Sequence, residues 1–204
     1  MGLQGAFWMF VAAQYIEGKG AGLVAIRNLP QGARIIAEHP FHRFPTDMSL
    51  ADIWSFLTNP QTKNEESFKL HENKGDVADQ TPEQGALSNV FPAMDEFGDP
   101  FWASFPTIGL INHACVPNAE YWWDHGLQDG KIRLIRNINA GEEITINYRF
   151  GRGFDTGKNI IGDIVAGREI HYGCGACRCH SAHIRGKFGF TCLCNACKQE
   201  TSHP

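Results

Sequence analysis

The sequence predicts a small, mainly β domain with a helical insert and a metal-binding C-terminal segment. Two regions, 15–44 and 101–148, contain short apolar runs separated by glycine and proline, which is typical of hairpins in small sheets. The stretch between them has one run of helical periodicity. Six of the seven cysteines lie between Cys174 and Cys197, which indicates a local metal site rather than disulfides spread along the chain.

The β-favouring runs predict strands or ordered segments in both regions. In chain order they are 23–26, 35–37, 101–111, 121–123, 132–135 and 144–148. Turns are predicted between the later runs, because a proline or a glycine-containing dipeptide separates each run from the next. These turns lie at Pro117, Asp129-Gly130 and Ala140-Gly141.

One amphipathic helix is predicted between the two β regions. Apolar residues recur at i, i+3, i+4 and i+7 over 50–57, behind Asp47 or Ser49 as N-cap. The polar stretch 59–84 predicts a loop or a loosely helical insert. The glycine-dense stretch 151–175 has no apolar periodicity and predicts a linker.

Length and charge limit the classes of function. The 204 residues suffice for one packed domain. Eighteen Lys and Arg against 22 Asp and Glu give a net charge of −4, so direct nucleic-acid binding is not expected. No apolar run reaches the roughly 20 residues of a membrane span, so no membrane partner is expected. We therefore expect a soluble intracellular protein of the nucleus, the cytoplasm or both.

The strongest chemical signal is the triplet Cys192-x-Cys194-x-x-Cys197. Three thiolates at this spacing can bind one structural zinc ion, which requires a fourth ligand from elsewhere in the chain. That ligand could be Cys115 or a member of an upstream cluster, and ordinary reduced cysteines are the alternative interpretation. The upstream cluster could bind a second metal, carry free thiols or lie outside the mature fold; it consists of Cys174, Cys177, Cys179, His180 and His183.

Two further motifs are candidates for ligand binding. The glycines of 18–22 leave backbone N–H groups accessible to a carboxylate or phosphate, although a plain turn between strands is the simpler interpretation. The run 112–118 concentrates an imidazole, a thiol and two amides in one loop, where a lone histidine is more often structural than a ligand. Glu142 and Glu143 are expected to flank a turn and face solvent.

Together these motifs resemble the SET-domain protein lysine methyltransferases, in the order that the family has. The four motifs are Lys19-Gly20-Ala21-Gly22-Leu23-Val24-Ala25, Asn112-His113-Ala114-Cys115-Val116-Pro117-Asn118, Gly141-Glu142-Glu143-Ile144-Thr145-Ile146-Asn147-Tyr148 and Phe190-x-Cys192-x-Cys194-x-x-Cys197. A split domain with a variable insert is most similar to SMYD-type and fungal SET proteins. A MYND finger is not visible, because 44–114 contains no cysteine. Ala114 stands where family members usually have serine.

The resemblance implies a β-clip-like fold of small sheets around a pseudoknot, in which the second motif threads beside the third. It implies S-adenosylmethionine as cofactor and a lysine of a protein, histones included, as substrate. Tyr148 matches the catalytic tyrosine. The cofactor-binding residues implied by similarity are Lys19, Gly20, Ala21, Gly22, Leu23, Asn112, His113, Tyr148 and Phe190. The implied zinc ligands are Cys115, Cys192, Cys194 and Cys197.

The implied organisation is a SET domain over 15–150 with an insert at about 46–102, a linker or insertion over 151–187 and a post-SET zinc motif over 188–198. Two segments have no counterpart in the family pattern, Met1–Gln14 and Arg149–Arg185, and the sequence leaves open whether they belong to the folded protein. A catalytically silent SET-like module, stabilised by zinc and binding a protein tail, is the alternative function.

Overall fold

The computed structural model describes residues 9–59, 61, 80–148 and 180–192. Strands dominate the described part, which confirms the mainly β prediction. The strands are β1 Val11–Ile16, β2 Gly20–Ala25, β3 Arg34–Glu38, β4 His42–Pro45, β5 Phe91–Met94, β6 Pro100–Ser104, β7 Asn112–His113, β8 Ala119–Asp124, β9 Asp129–Leu134 and β10 Glu143–Ile146. The α-helices are α1 Leu50–Thr58, α2 Pro82–Leu87 and α3 His180–Phe188.

The strands form three small sheets. The first has the order β1-β2-β10-β7, the second β3-β9-β8 and the third β4-β6-β5. All pairings are antiparallel except that of β10 with β7, which is parallel. A parallel pair requires a long connection, and here the connection carries β8 and β9 of the second sheet. The first and second sheets are therefore linked by the chain that crosses between them.

Helix α1 begins where the sequence predicts. Ser49 is the N-cap, and its hydroxyl accepts a hydrogen bond from the Asp52 amide at 3.1 Å. Of the predicted apolar face, Ile53 and Leu57 are buried at 0% and 3% exposure, and Leu50 and Trp54 are half-buried. Ile53 and Leu57 pack with Phe44 from β4 in a second, smaller core, which the insert forms with β4.

Helix α2 lies at the end of the stretch predicted as a loop or loosely helical insert. Thr81 and Gln84 form a capping box, in which each side chain bonds the other residue's backbone amide. Pro82 occupies the first turn, where its missing N–H costs nothing. The insert therefore ends in an ordered helix that packs on α1, while 62–79 lie outside the described residues.

The N-terminal segment belongs to the fold from Met9 onward. Strand β1 pairs with β2 over six residue pairs, from Val11 with Ala25 to Ile16 with Gly20. Val11 is 1% exposed and joins the main hydrophobic core. The part of Met1–Gln14 that precedes Met9 lies outside the described residues.

The β8–β9 hairpin is as predicted, but its turn is not at Asp129-Gly130. The turn occupies 125–128, and Asp129 pairs with Asp124 as the first pair of the ladder. Gly130 serves packing instead, because a β-carbon there would lie 2.6 Å from Phe105 Cζ. Gly130 is therefore required by its close contact with the core and not by a turn.

Helix α3 lies mostly within the stretch 151–187 that is predicted as a linker or insertion, of which 151–179 lie outside the described residues. The apolar residues of its second half, Ile184 and Phe188, are buried in the main core. Among the described residues, no helix is long and apolar enough to cross a membrane.

Candidate active site

Three of the four motifs meet in the first sheet. Strand β10 pairs on one side with β2, through Glu143 with Val24, and on the other with β7, through Thr145 with Asn112. The amide of Ala114 extends the β7 contact by donating to the Ile146 carbonyl at 2.9 Å. The second motif therefore lies directly beside the third, as the resemblance implies.

Asn112 connects these motifs through its side chain. Its Nδ2 donates to the Ala21 carbonyl and to Glu143 Oε1, both at 3.0 Å. The other oxygen of Glu143 accepts from Lys19 Nζ at 2.6 Å. The expectation that Glu143 faces solvent is wrong: its side chain is 19% exposed because Lys19 and Asn112 enclose it.

Asn118 joins the same motifs from the other side of β10. Its Oδ1 accepts from the Thr145 amide at 2.8 Å, and its Nδ2 donates to the Glu143 carbonyl at 2.7 Å. The residue is 2% exposed, so each of these bonds compensates for a buried polar atom. Asn118 thereby fixes the loop that leads from β7 to β8 against β10.

His113 lies between Tyr148 and Cys115. Its Nδ1 accepts a hydrogen bond from the Tyr148 backbone amide at 3.1 Å, and its Nε2 lies 3.5 Å from Cys115 Sγ. A backbone amide can only donate, so Nδ1 is the acceptor and Nε2 carries the ring proton. His113 can thus donate to the Cys115 sulfur, but in this tautomer it does not bind a metal through Nε2.

Tyr148 is buried at 5% exposure, with its hydroxyl donating to the Ile111 carbonyl at 2.7 Å. Burial, and secondarily the charge of Glu143, raise the pKa of the phenol well above its ordinary value. The phenol therefore stays neutral at physiological pH. With its proton engaged by Ile111, the oxygen can present lone pairs to an electron-poor group.

The C-terminal segment brings aromatic rings to this tyrosine. Phe188, the last residue of α3, lies 5.6 Å from the Tyr148 ring between centroids, and Phe190 lies 6.1 Å away. Phe190 also lies 6.0 Å from the His113 ring. The fourth motif thus reaches the second and the third, although 77 residues separate Cys115 from Cys192.

The sulfurs of Cys115 and Cys192 lie 3.7 Å apart, and both side chains are buried. Two thiolates on one tetrahedral zinc, each about 2.3 Å from the ion, are separated by about 3.8 Å. The two sulfurs and the His113 nitrogen lie within 4.8 Å of one another, and the two sulfurs are the metal ligands of this group, since His113 Nε2 carries a proton. Both cysteines therefore fit a zinc site. Cys194 and Cys197 lie outside the described residues, as do Cys174, Cys177 and Cys179.

A family model for the SET domain matches residues 20–149. The chain belongs to the SET domain family. The match includes the three motifs that meet in the first sheet, and it ends before the C-terminal segment that carries Phe190 and Cys192. Membership of this family implies S-adenosylmethionine as the cofactor.

Three curated relatives support the same family. Histone-lysine N-methyltransferase set5 of Schizosaccharomyces pombe is 26% identical over 197 residues, which cover 91% of this chain and 49% of that protein. SET domain-containing protein SmydA-8, isoform A, of Drosophila melanogaster is 29% identical over 93 residues, covering 44% of this chain and 18% of that protein. Histone-lysine N-methyltransferase ATXR2 of Arabidopsis thaliana is 26% identical over 119 residues, which cover 54% of this chain and 20% of that protein. The chain thus spans at most about half the length of these relatives.

The SET protein contains two site features that sequence reasoning missed. The sequence predicts a solvent-facing Glu143 beside a turn, and no local signal identifies its partner Lys19, 124 residues away. The second feature is Phe188, which lies just outside the fourth motif. Its spacing of four residues from the buried Ile184 is the helical signal that could have found it.

Proposed function

We propose that this SET protein is an S-adenosylmethionine-dependent protein-lysine N-methyltransferase with Tyr148 as its catalytic residue. The observation that carries the proposal is the position of Tyr148. Its hydroxyl is anchored on Ile111, its backbone amide on His113, and its ring packs near Phe190. His113 of the second motif and Phe190 of the fourth therefore lie against a buried tyrosine of the third.

The cofactor is proposed to lie beside β2, where the first motif turns into the sheet. Main-chain groups of 19–23 and the side chains of Asn112 and His113 would hold it, with Phe190 against its adenine. The Ala21 carbonyl is already bonded to Asn112, which fixes both groups relative to each other. Such preorganisation favours binding because little ordering remains to be done.

Methyl transfer requires a neutral amine in line with the methyl group in a site without water. The cofactor, when bound, supplies a methyl group on a sulfonium. The target lysine would have to lose its ammonium proton to solvent before transfer, so that the nitrogen lone pair is free to accept the methyl group. Tyr148 contributes lone pairs from a fixed, neutral oxygen, which orient and stabilise positive charge without acting as a base.

A zinc ion is proposed to be held by Cys115, Cys192, Cys194 and Cys197. When bound, the ion supplies a structural cross-link between the second motif and the C-terminal segment. The 3.7 Å separation of the Cys115 and Cys192 sulfurs supports this set. His113 then donates its Nε2 proton toward the Cys115 sulfur, as an outer neighbour of the metal.

The substrate is proposed to be a lysine of a protein, with histones as the first candidates because two of the relatives are named histone-lysine N-methyltransferases. A histone substrate would place the protein in the nucleus, and another protein substrate would allow the cytoplasm. The proposed division is a SET domain over 15–150 with its insert at about 46–102, a linker or insertion over 151–187 and a post-SET motif over 188–198.

The test is a titration of the purified, zinc-loaded protein with S-adenosylmethionine, followed by methyl transfer to core histones. Tyr148→Phe should reduce transfer at least about a hundredfold, as expected for loss of one oriented polar group, while cofactor affinity changes less than about threefold. Absence of binding at millimolar cofactor would refute the enzyme and favour a silent interaction module. Equal losses of transfer and affinity would contradict the role of Tyr148.

A further inference from the structure

Glu143 joins two residues of the proposed cofactor site. Its Oε2 accepts from Lys19 Nζ at 2.6 Å, and its Oε1 accepts from Asn112 Nδ2 at 3.0 Å. The Lys19 and Glu143 side chains are 18% and 19% exposed, so the pair is largely shielded from water. The adjacent Glu142 has a different set of partners, Arg136 and Asn118, on the other side of the strand.

This arrangement determines which way the Asn112 amide points. Both hydrogens of Nδ2 are used, one on the Ala21 carbonyl and one on Glu143 Oε1. A flipped amide would place Oδ1 against two acceptor oxygens, which is unfavourable in a residue 6% exposed. Oδ1 therefore remains the acceptor, and no donor among the described residues is bonded to it.

We infer that Glu143 is a positioning residue, which fixes the Asn112 amide so that Oδ1 presents an acceptor to an N–H donor of the cofactor. The inference rests on the proposed function, because it requires a cofactor beside Asn112. Both carboxylate oxygens of Glu143 are bonded within the protein, one to Asn112 and one to Lys19. Lys19 holds the carboxylate at the correct angle from the opposite side.

The experiment measures the affinity for S-adenosylhomocysteine by calorimetry for the wild type, Glu143→Ala, Asn112→Ala and the double variant. Loss of a charged acceptor from a buried amide should weaken binding about tenfold in Glu143→Ala. The double variant should bind as weakly as Asn112→Ala alone, because Glu143 acts through Asn112. Glu142→Ala is the matched control and should change affinity less than about twofold.

Glu143→Gln keeps an acceptor for Asn112 and should retain affinity within about threefold, which guards against a folding defect in Glu143→Ala. NMR of the cofactor-free protein adds an independent readout. The Asn112 side-chain proton that faces Glu143 should be shifted downfield and protected from exchange with water in the wild type and in Glu143→Gln, and it should lose both properties in Glu143→Ala.

The outcomes separate the two proposals. A wild type that does not bind S-adenosylhomocysteine refutes the proposed function, and the role of Glu143 with it. A wild type that binds, combined with independent and additive losses in the two single variants, refutes only the role of Glu143. Equal losses in Glu143→Gln and Glu143→Ala would also overturn it, because they would assign the effect to Lys19 instead.

Discussion

At Gly22 the chain has no room for a β-carbon. An ideal β-carbon there would lie 2.7 Å from Asn112 Nδ2 and 2.7 Å from Ile16 Cγ1. The first atom belongs to the amide that contacts Ala21, and the second belongs to β1. Glycine is therefore needed at this position because two elements of the site approach the backbone closely.

Gly22→Ala should consequently destabilise the protein and displace the Asn112 amide. Overpacking of this kind costs about 1–3 kcal/mol of unfolding free energy. Chemical denaturation measures the stability, and titration with S-adenosylhomocysteine measures the site. Gly126→Ala is the matched control, since its β-carbon would approach nothing closer than 3.6 Å. Equal changes in the two variants would contradict this explanation.

The burial of Tyr148 should also make the unfolding free energy depend on pH. Because its pKa is raised by burial, the folded phenol keeps its proton where the unfolded phenol, with a pKa of about 10, loses it. Its contribution to stability is thus complete below pH 10 and is lost as the pH rises above that value. Unfolding free energies at about pH 9 and pH 11 should fall more in the wild type than in Tyr148→Phe.

Two glutamines, one just before α2 and one within it, contact the C-terminal end of α3. Gln80 Nε2 donates to the Phe188 carbonyl at 2.6 Å, and Gln84 Nε2 donates to the Gly186 carbonyl at 2.9 Å. The last carbonyls of a helix have no partner within it, so these glutamines satisfy them from the insert. The insert thereby helps to hold the segment that carries Phe188 and Phe190 beside Tyr148.

Two glycines of this segment should respond in opposite ways to alanine. Gly189 has φ of +74°, and its β-carbon would lie 2.5 Å from Gln84 Oε1, so Gly189→Ala should cost about 1–3 kcal/mol. Gly186 lies within α3 with nothing near its β-carbon, so Gly186→Ala should be neutral or stabilise by up to about 1 kcal/mol. Thermal unfolding and hydrogen exchange at 184–190 measure both. Similar destabilisation by the two substitutions would argue against the contact.

The elements differ in how far local sequence determines them. Helix α1 is predictable from its apolar period and its Ser49 cap, and α2 could have been found from the Thr81–Gln84 capping box. Strand β5 is buried on both faces and contains a proline, so it has no alternation to detect. Strand β1 is defined by its pairing with β2 rather than by its own pattern. At the site, the motifs predict Asn112, His113 and Tyr148, whereas the placement of Glu143 depends on a partner distant in sequence.

The C-terminal segment is part of the main core of the molecule. Phe188 and Cys192 belong to the same buried cluster as Leu23 and Ile146 from the first sheet. The buried pair of Cys115 and Cys192 adds a second contact between this segment and the second motif. A metal ion bound to both sulfurs would cross-link the two segments. Removal of that ion should therefore affect both the stability of the core and the site at Tyr148.

Metal analysis of the purified protein should accordingly find zinc bound through Cys115 and Cys192, and Cys115→Ser and Cys192→Ser should each reduce the bound zinc. Chelation of the wild type should lower its melting temperature and weaken cofactor binding, because the segment that carries Phe190 loses its attachment beside His113. Restoring zinc should reverse both effects in the wild type but not in the two variants. If the variants kept full metal content, or if chelation changed stability without changing cofactor affinity, the C-terminal segment would not depend on this metal for its place at the site.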